Sequence, residues 1–275
     1  LEETNARLLL PRRGGPASIP TAQLLHVAWP EEAGATVLAV DAGDGVDFSP
    51  LENVLHGRDL EIRRSSSPDP VSAILAESRL GFGLIGLGAE ATETHGVVSP
   101  LVDGVLSESP VPVVVVRRAL NLDRPLPGAF TKAMVPVGRS RGSRAAQEIA
   151  FNLSANLGTQ IQLAHVTPEP SHGLARFVPF TTAPADDVSA EVGARLLWQA
   201  VDQARGLGVE AHPNTLSGST ATELLRFVDD TECDLVIMGA VLRRLDDRPS
   251  LGPVVERLLD DCPVTVAVVV VPVDL

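Results

Sequence analysis

Apolar residues run along this chain in two rhythms. Short runs rich in valine and leucine, such as "RLLL" from Arg7, "ATVLAV" from Ala35, "VPVVVV" from Val111 and "VTVAVVVV" from Val264, behave as strands. Between them lie longer stretches in which apolar positions recur every three or four residues, the spacing of an amphipathic helix. In the second half this predicts strands near residues 134–137, 160–166, 209–213, 235–239 and 265–271. It also predicts helices over "SRAAQEIAFNLSANLG", stopped by Gly158, and over "SAEVGARLLWQAVDQARGLG". Strands alternating with helices give a parallel sheet with right-handed crossovers. The run "VTVAVVVV" is apolar on both faces, which requires helices on both sides of that sheet.

The pattern occurs twice. "GLGAEATETHGVVSPLVDGVLSESPVPVVVV" from Gly86 aligns without a gap on "GAVLRRLDDRPSLGPVVERLLDDCPVTVAVV" from Gly239, an offset of 239 − 86 = 153. "RLLLPRRGGPAS" from Arg7 matches "KAMVPVGRSRGS" from Lys132, and "GATVLAVD" matches "GTQIQLAH", with an offset near 124. The second copy carries the extra residues, around "PEPSHGLARFVPFTTAPADD". The chain therefore divides into a first domain over 5–119, a Pro- and Gly-bearing linker over 120–130 and a second domain over 131–275. Each copy ends in a valine strand that would recruit other chains if left at a sheet edge. Pairing the two terminal strands, so that the halves form an internal pseudo-dimer, removes both edges.

A net charge of −13 excludes nonspecific nucleic-acid binding, which draws its affinity from cations on phosphates. Lys132 is the one lysine, and it opens a strand, so neither a phosphate-loop lysine nor a Schiff base is expected. Cys233 and Cys262 stand before apolar strands and read as buried small hydrophobes. The longest apolar runs are too short and too valine-rich for a spanning helix. The chain begins with Leu1, which fits a piece of something longer.

On these residues the chain resembles the universal stress protein family, in tandem form and over nearly its whole length. The resemblance implies two doubly wound, flavodoxin-like sheets, each of five strands in the order 3-2-1-4-5, paired through strand 5. In ATP-binding members it implies G-x2-G-x9-G-[S/T] after strand 4 and an aspartate ending strand 1. Copy two keeps Gly239 and Gly252 but has Leu242 and Pro253 at the other places. Copy one keeps Gly86, with Ala89, Ser99 and Pro100. The aspartate is replaced by Arg13 and Gly138. Proline supplies neither a hydroxyl nor an N–H, so the ATP motif is degenerate in both halves. "SPLVDGVLSESPVPVVVVRR", "SRAAQEIAFNL" and "RPSLGPVVERLLDDCPVTVAVVV" look most like the stress-protein regions fused behind bacterial cation/proton antiporters.

Arginine is the other candidate chemistry. Ligands of such a sheet enter at the carboxyl ends of strands 1 and 4. Copy two places Arg139, Arg141 and Arg144 after strand 1, and Arg243, Arg244 and Arg248 after strand 4. Six arginines facing one crevice, helped by Ser140, Ser143 and a helix N-terminus, would hold a phosphate or carboxylate. The competing reading is solvated loop charge paired with Asp246, Asp247 and nearby carboxylates, which contributes little. Copy one echoes the pattern in Arg12, Arg13, Arg63 and Arg64, where "SSSPDP" reads as a helix cap instead. His165 ends a strand and reads as a satisfied histidine; Asp41, Asp44 and Asp47 read as a polar turn, not a calcium loop. No metal site, nucleophile elbow or Walker pattern occurs.

These observations give a non-enzymatic regulatory module in the cytoplasm, serving in cis as the tail of a monovalent cation/proton antiporter, with a homodimer also open. The binding residues are Val137, Gly138, Arg139, Arg141, Gly239, Arg243, Arg244 and Gly252. The expected ligand is a small anion, with ATP, AMP or a cyclic nucleotide all open. Two other readings stand beside it: a free-standing ATP-binding stress protein and a ligand-free protein-interaction scaffold.

Overall fold

A computed structural model describes residues 7–12, 18–40, 46–89, 99–118, 130–167, 185–245 and 248–272, without the side chains of 185–189, 245 and 248. The first half runs β1 (Arg7–Arg12), α1 (Ser18–Ala28), β2 (Ala35–Val40), α2 (Ser49–Val54), β3 (Leu60–Ser65), α3 (Pro70–Ser78), β4 (Phe82–Ala89), α4 (Pro100–Glu108) and β5 (Val113–Arg117). The second runs β6 (Lys132–Pro136), α5 (Arg141–Leu157), β7 (Gln160–Thr167), α6 (Ala185–Gly206), β8 (Ala211–Ser217), α7 (Thr220–Thr231) and β9 (Leu235–Ala240). It closes with a small hairpin, β10 (Arg243–Leu245) and β11 (Arg248–Ser250), then α8 (Pro253–Asp261) and β12 (Thr265–Val270).

All the long strands join one ten-stranded sheet, in the order β3-β2-β1-β4-β5-β12-β9-β6-β7-β8. Each half is parallel within itself and follows the order that the resemblance implies. The halves meet where β12 runs antiparallel to β5, with Val268 opposite Val115. Every residue of both terminal strands is buried, as a strand with two neighbours and two covered faces must be. The outer strands, β3 and β8, are instead largely polar on their exposed positions, which discourages pairing with another chain. Helices α1, α2, α5 and α6 cover one face and α3, α4, α7 and α8 the other, each burying a continuous aliphatic cluster.

Polar side chains stitch the seam. Arg117 is 2% exposed and donates to the carbonyls of Cys262 at 2.7 Å and Val264 at 3.2 Å in the other half. Asn152 and Asn156 of α5 donate to the carbonyls of Ala28 (3.1 Å) and Val27 (2.7 Å). Those carbonyls end α1 and have no partner within their own helix. Arg58 completes that terminus, donating to the carbonyls of His26 and Trp29 and, at 2.6 and 2.7 Å, to those of Pro30 and Ala33.

Several local expectations are met. Gly158 closes α5 in the left-handed conformation, and the Asp69 carboxylate caps α3 by accepting from the amides of Val71 and Ser72. Both cysteines are buried, and burial pushes their thiols above the usual range. One expectation shifts: the strand predicted at 209–213 is β8, Ala211–Ser217. Val209 still belongs to the turn leaving α6, its amide donating to the Ala204 carbonyl at 2.9 Å. His212 is exposed and Asn214 is half-buried, its side chain donating to the Leu163 carbonyl at 3.2 Å, so neither strand residue carries an apolar signal. Residues 120–129 of the proposed linker, Arg13, Asp41, Asp44, Asp246, Asp247 and most of the inserted stretch lie outside the described residues.

Candidate functional site

The site takes shape where β6 ends and α5 begins. Ser140 caps α5, its hydroxyl accepting from the Ser143 amide at 3.0 Å. The Ser143 hydroxyl accepts from the Gly138 amide at 2.8 Å and from the Gln147 side chain at 3.3 Å. The Val137 amide is spent on the Ala164 carbonyl at 2.8 Å, and the Val137 carbonyl lies 2.9 Å from Nδ1 of His165. His165 is thus a satisfied, half-buried histidine as expected, packed against Gly193 of α6. The amides of Val137, Gly138 and Ser143 and the acceptor sites of both serine hydroxyls are thus engaged, and the full charges that a ligand would meet here come from side chains.

Those side chains line a cavity of about 540 Å3 between the first turns of α5 and the middle of α6. Val137, Val192, Leu196 and Ala200 supply an aliphatic wall. Arg139, Arg144 and Arg195 supply positive charge, and Gln147, Gln199 and Gln203 supply amides that both donate and accept. Arg195 makes one solvent-exposed ion pair, with Glu191 at 3.4 Å, a contact of the weakest kind. Among the described residues Arg139 and Arg144 pair with no carboxylate. Arg195, Gln199 and Gln203 repeat at helical spacing on α6, but a helix rich in polar residues looks like any solvated helix in the sequence.

The expectation of six arginines around one crevice is corrected. Helix α5 starts at Arg141, so the arginines near its start fan around the first turn. Arg139 and Arg144 reach the cavity, while Arg141 lines a separate one at the seam. Arg243 and Arg244 are exposed on the β10–β11 hairpin and do not line the cavity; the Arg248 side chain lies outside the described residues. In the first half Arg63 is paired with Glu61 and Glu77, and Arg12 and Arg64 stand over the Phe48 ring at 5.4 and 5.8 Å.

The glycines of the phosphate-loop pattern have other work. A Cβ on Gly239 would overlap the Gly142 carbonyl carbon and the Ser143 amide nitrogen, because the first turn of α5 lies directly on β9. Gly142 reciprocates, its missing Cβ leaving room for the carbonyls of Ala240 and Val269. Gly252 has φ +93 and precedes α8, whose first residue, Pro253, has no amide to offer. The Glu256 carboxylate accepts from the Leu251 amide at 3.1 Å and the Ser250 hydroxyl at 2.7 Å, and that hydroxyl accepts from the Gly252 amide at 3.1 Å. An internal anion therefore sits where a phosphate would meet this helix, and the residues present do not fit ATP held through the loop. In the first half Ser99 caps α4, its hydroxyl taken by the Val102 amide at 3.4 Å.

Sheet order and crossovers define a flavodoxin-like α/β protein doubled in one chain. The profile of the universal stress protein family matches residues 129–270, and the chain belongs to that family. It is 26% identical over 146 residues to a universal stress protein of Methanocaldococcus jannaschii, covering 50% of this chain and 81% of the relative. A universal stress protein of Archaeoglobus fulgidus superimposes with a TM-score of 0.64 at 19% identity, covering 97% of this chain and 98% of the other. A Pseudomonas aeruginosa protein does so at 0.61 and 16%, over 96% and 93% of the two chains. These likenesses establish the doubled fold end to end.

Proposed function

We infer that this protein is a non-catalytic sensing module whose second half binds a small anionic ligand in the cavity between α5 and α6. The observation that carries this reading is the pairing of two guanidinium groups that have no carboxylate partner among the described residues, Arg139 and Arg144, with an aliphatic wall in a cavity of about 540 Å3. Volumes of about 300–1,000 Å3 with a few converging polar groups are typical of small-molecule sites. Guanidinium groups receive phosphate or carboxylate in bidentate fashion, and the three glutamines suit a ring or sugar that both donates and accepts. A nucleoside monophosphate or cyclic nucleotide matches this chemistry better than ATP bound through the loop before α8, which Glu256 already fills.

Calorimetry against AMP, cyclic AMP, ATP and inorganic phosphate tests the reading. Binding of an anion, weakened roughly tenfold or more by Arg139→Ala and by Arg144→Ala, is the expected result. No heat and no thermal shift with any of the four would overturn it. The finer placement, as the cytosolic tail of a monovalent cation/proton antiporter, rests on the resemblance of the α4–β5 and α8–β12 stretches to such tails. None of the helices among the described residues is long and apolar enough to cross a membrane. The reading frame upstream of Leu1 checks that placement: a series of apolar segments of about 20 residues each is expected.

A further inference from the structure

A second cavity, of about 200 Å3, lies where the two halves meet. Its inner surface is apolar: Trp29 beyond the end of α1, Leu84 of β4, Ile149 of α5 and Val269 of β12 are all buried. Its outer side carries Arg141 and Arg144, both exposed. Glu148, one turn along α5, also lines it but makes no ion pair with Arg144. The volume equals roughly seven waters at about 30 Å3 each, space for a molecule the size of benzoate or a short fatty acid.

The walls are pinned. Helix α1 stops at Ala28 because Pro30 cannot continue it, and Asn152 and Asn156 fasten α5 onto the α1 carbonyls. Closing the cavity by sliding α5 inward would break those hydrogen bonds. Duplication also gives each of these positions a counterpart in the other copy of the sequence. Subtracting the offset of 125 that relates Arg7 to Lys132 places Pro16 and Ile19 at the positions of Arg141 and Arg144, and Ser154 at that of Trp29. The aligned residues are thus neither aromatic nor cationic, so the trio of Trp29, Arg141 and Arg144 is not dictated by the repeated sequence pattern.

We propose that this seam cavity binds a small amphipathic carboxylate, its apolar body against Trp29 and Leu84 and its carboxylate on Arg141 and Arg144. The site is distinct from the arginine cavity of the second half, although Arg144 borders both.

Trp198→Phe leaves Trp29 as the sole tryptophan, because the chain has two. In that background, benzoate and octanoate are expected to change the Trp29 fluorescence saturably, with Kd on the order of 0.1–1 mM for ligands of about ten non-hydrogen atoms. Benzyl alcohol and octanol, which lack the charge, should bind roughly tenfold more weakly. Arg141→Gln should weaken the carboxylates by a similar factor, and Ala145→Leu, which fills the cavity, should abolish the change. Thermal melts confirm that each variant folds. No saturable change in the folded protein, equal binding of the alcohols, or indifference to both Arg141→Gln and Ala145→Leu would overturn the proposal. Failure here is separable from failure of the sensing reading, since neither Arg141 nor Ala145 lines the arginine cavity.

Discussion

A methyl group added at Gly239 has nowhere to go, because the backbone of Gly142 and Ser143 already fills its place. Backbone cannot swing aside as a side chain does, so Gly239→Ala is expected to cost about 3 kcal/mol or more in denaturant unfolding. Gly252→Ala meets no neighbouring atom and pays only for an extended conformation at positive φ, about 1–3 kcal/mol. An equal cost for the two would contradict this assignment of roles. The letters of the phosphate-loop pattern were legible in the sequence, but their present purpose was not. A glycine kept for a close helix crossing and one kept for a ligand read identically until the crossing partner is known. Arg58 and Arg117 were missed for a related reason. Their partners are main-chain carbonyls distant in sequence, and carbonyls carry no residue-type signal.

Among the elements, those with strong local signals were visible. Gly158 ends α5, Asp69 opens α3, and the five strands of the second half fall within a few residues of their predicted places. The polar C-terminal part of β8 and the β10–β11 hairpin were not visible, since tertiary pairing alone makes them strands. The Asp69 cap gives a pH signature. Hydrogen bonds from the Ser72 side chain, and then from the Ser72 and Val71 amides, hold the Asp69 carboxyl below its usual range; those of Ser49 do the same for Asp47. A depressed folded-state value means that stability is fully present above the unfolded value near 4 and is lost as pH falls through the folded one. Melting curves should therefore drop below about pH 4, and Asp69→Asn should flatten that drop. An unchanged pH profile in the variant would count against the cap.

For the whole molecule, the decisive sequence feature was the pair of valine runs. Two buried strands with exposed partners elsewhere leave one economical arrangement, and β5 beside β12 is that arrangement. The location of the arginine cavity was half legible: Val137, Gly138 and Arg139 come from the predicted switch point, whereas Arg195 and the glutamines come from a helix that only folding brings near. Because one sheet and two shared aliphatic layers run through both halves, heating should give a single transition, reported alike by Trp29 in the first half and Trp198 in the second. Val268→Pro, which breaks a ladder bond in a central strand, should lower stability by about 3 kcal/mol or more. Two separate transitions in the native chain would mean that the seam does not couple the halves.

Antiparallel contact between β5 and β12 has a directional outcome. Within the ten-stranded sheet all strands of one half point the same way, so the carboxyl ends of the five from the first half and the five from the second emerge on opposite rims. The arginine cavity belongs to one rim, and the corresponding mouth of the first half looks the other way. A flat surface laid against one rim would leave the far rim open to solvent, so the two mouths are reached from opposite poles.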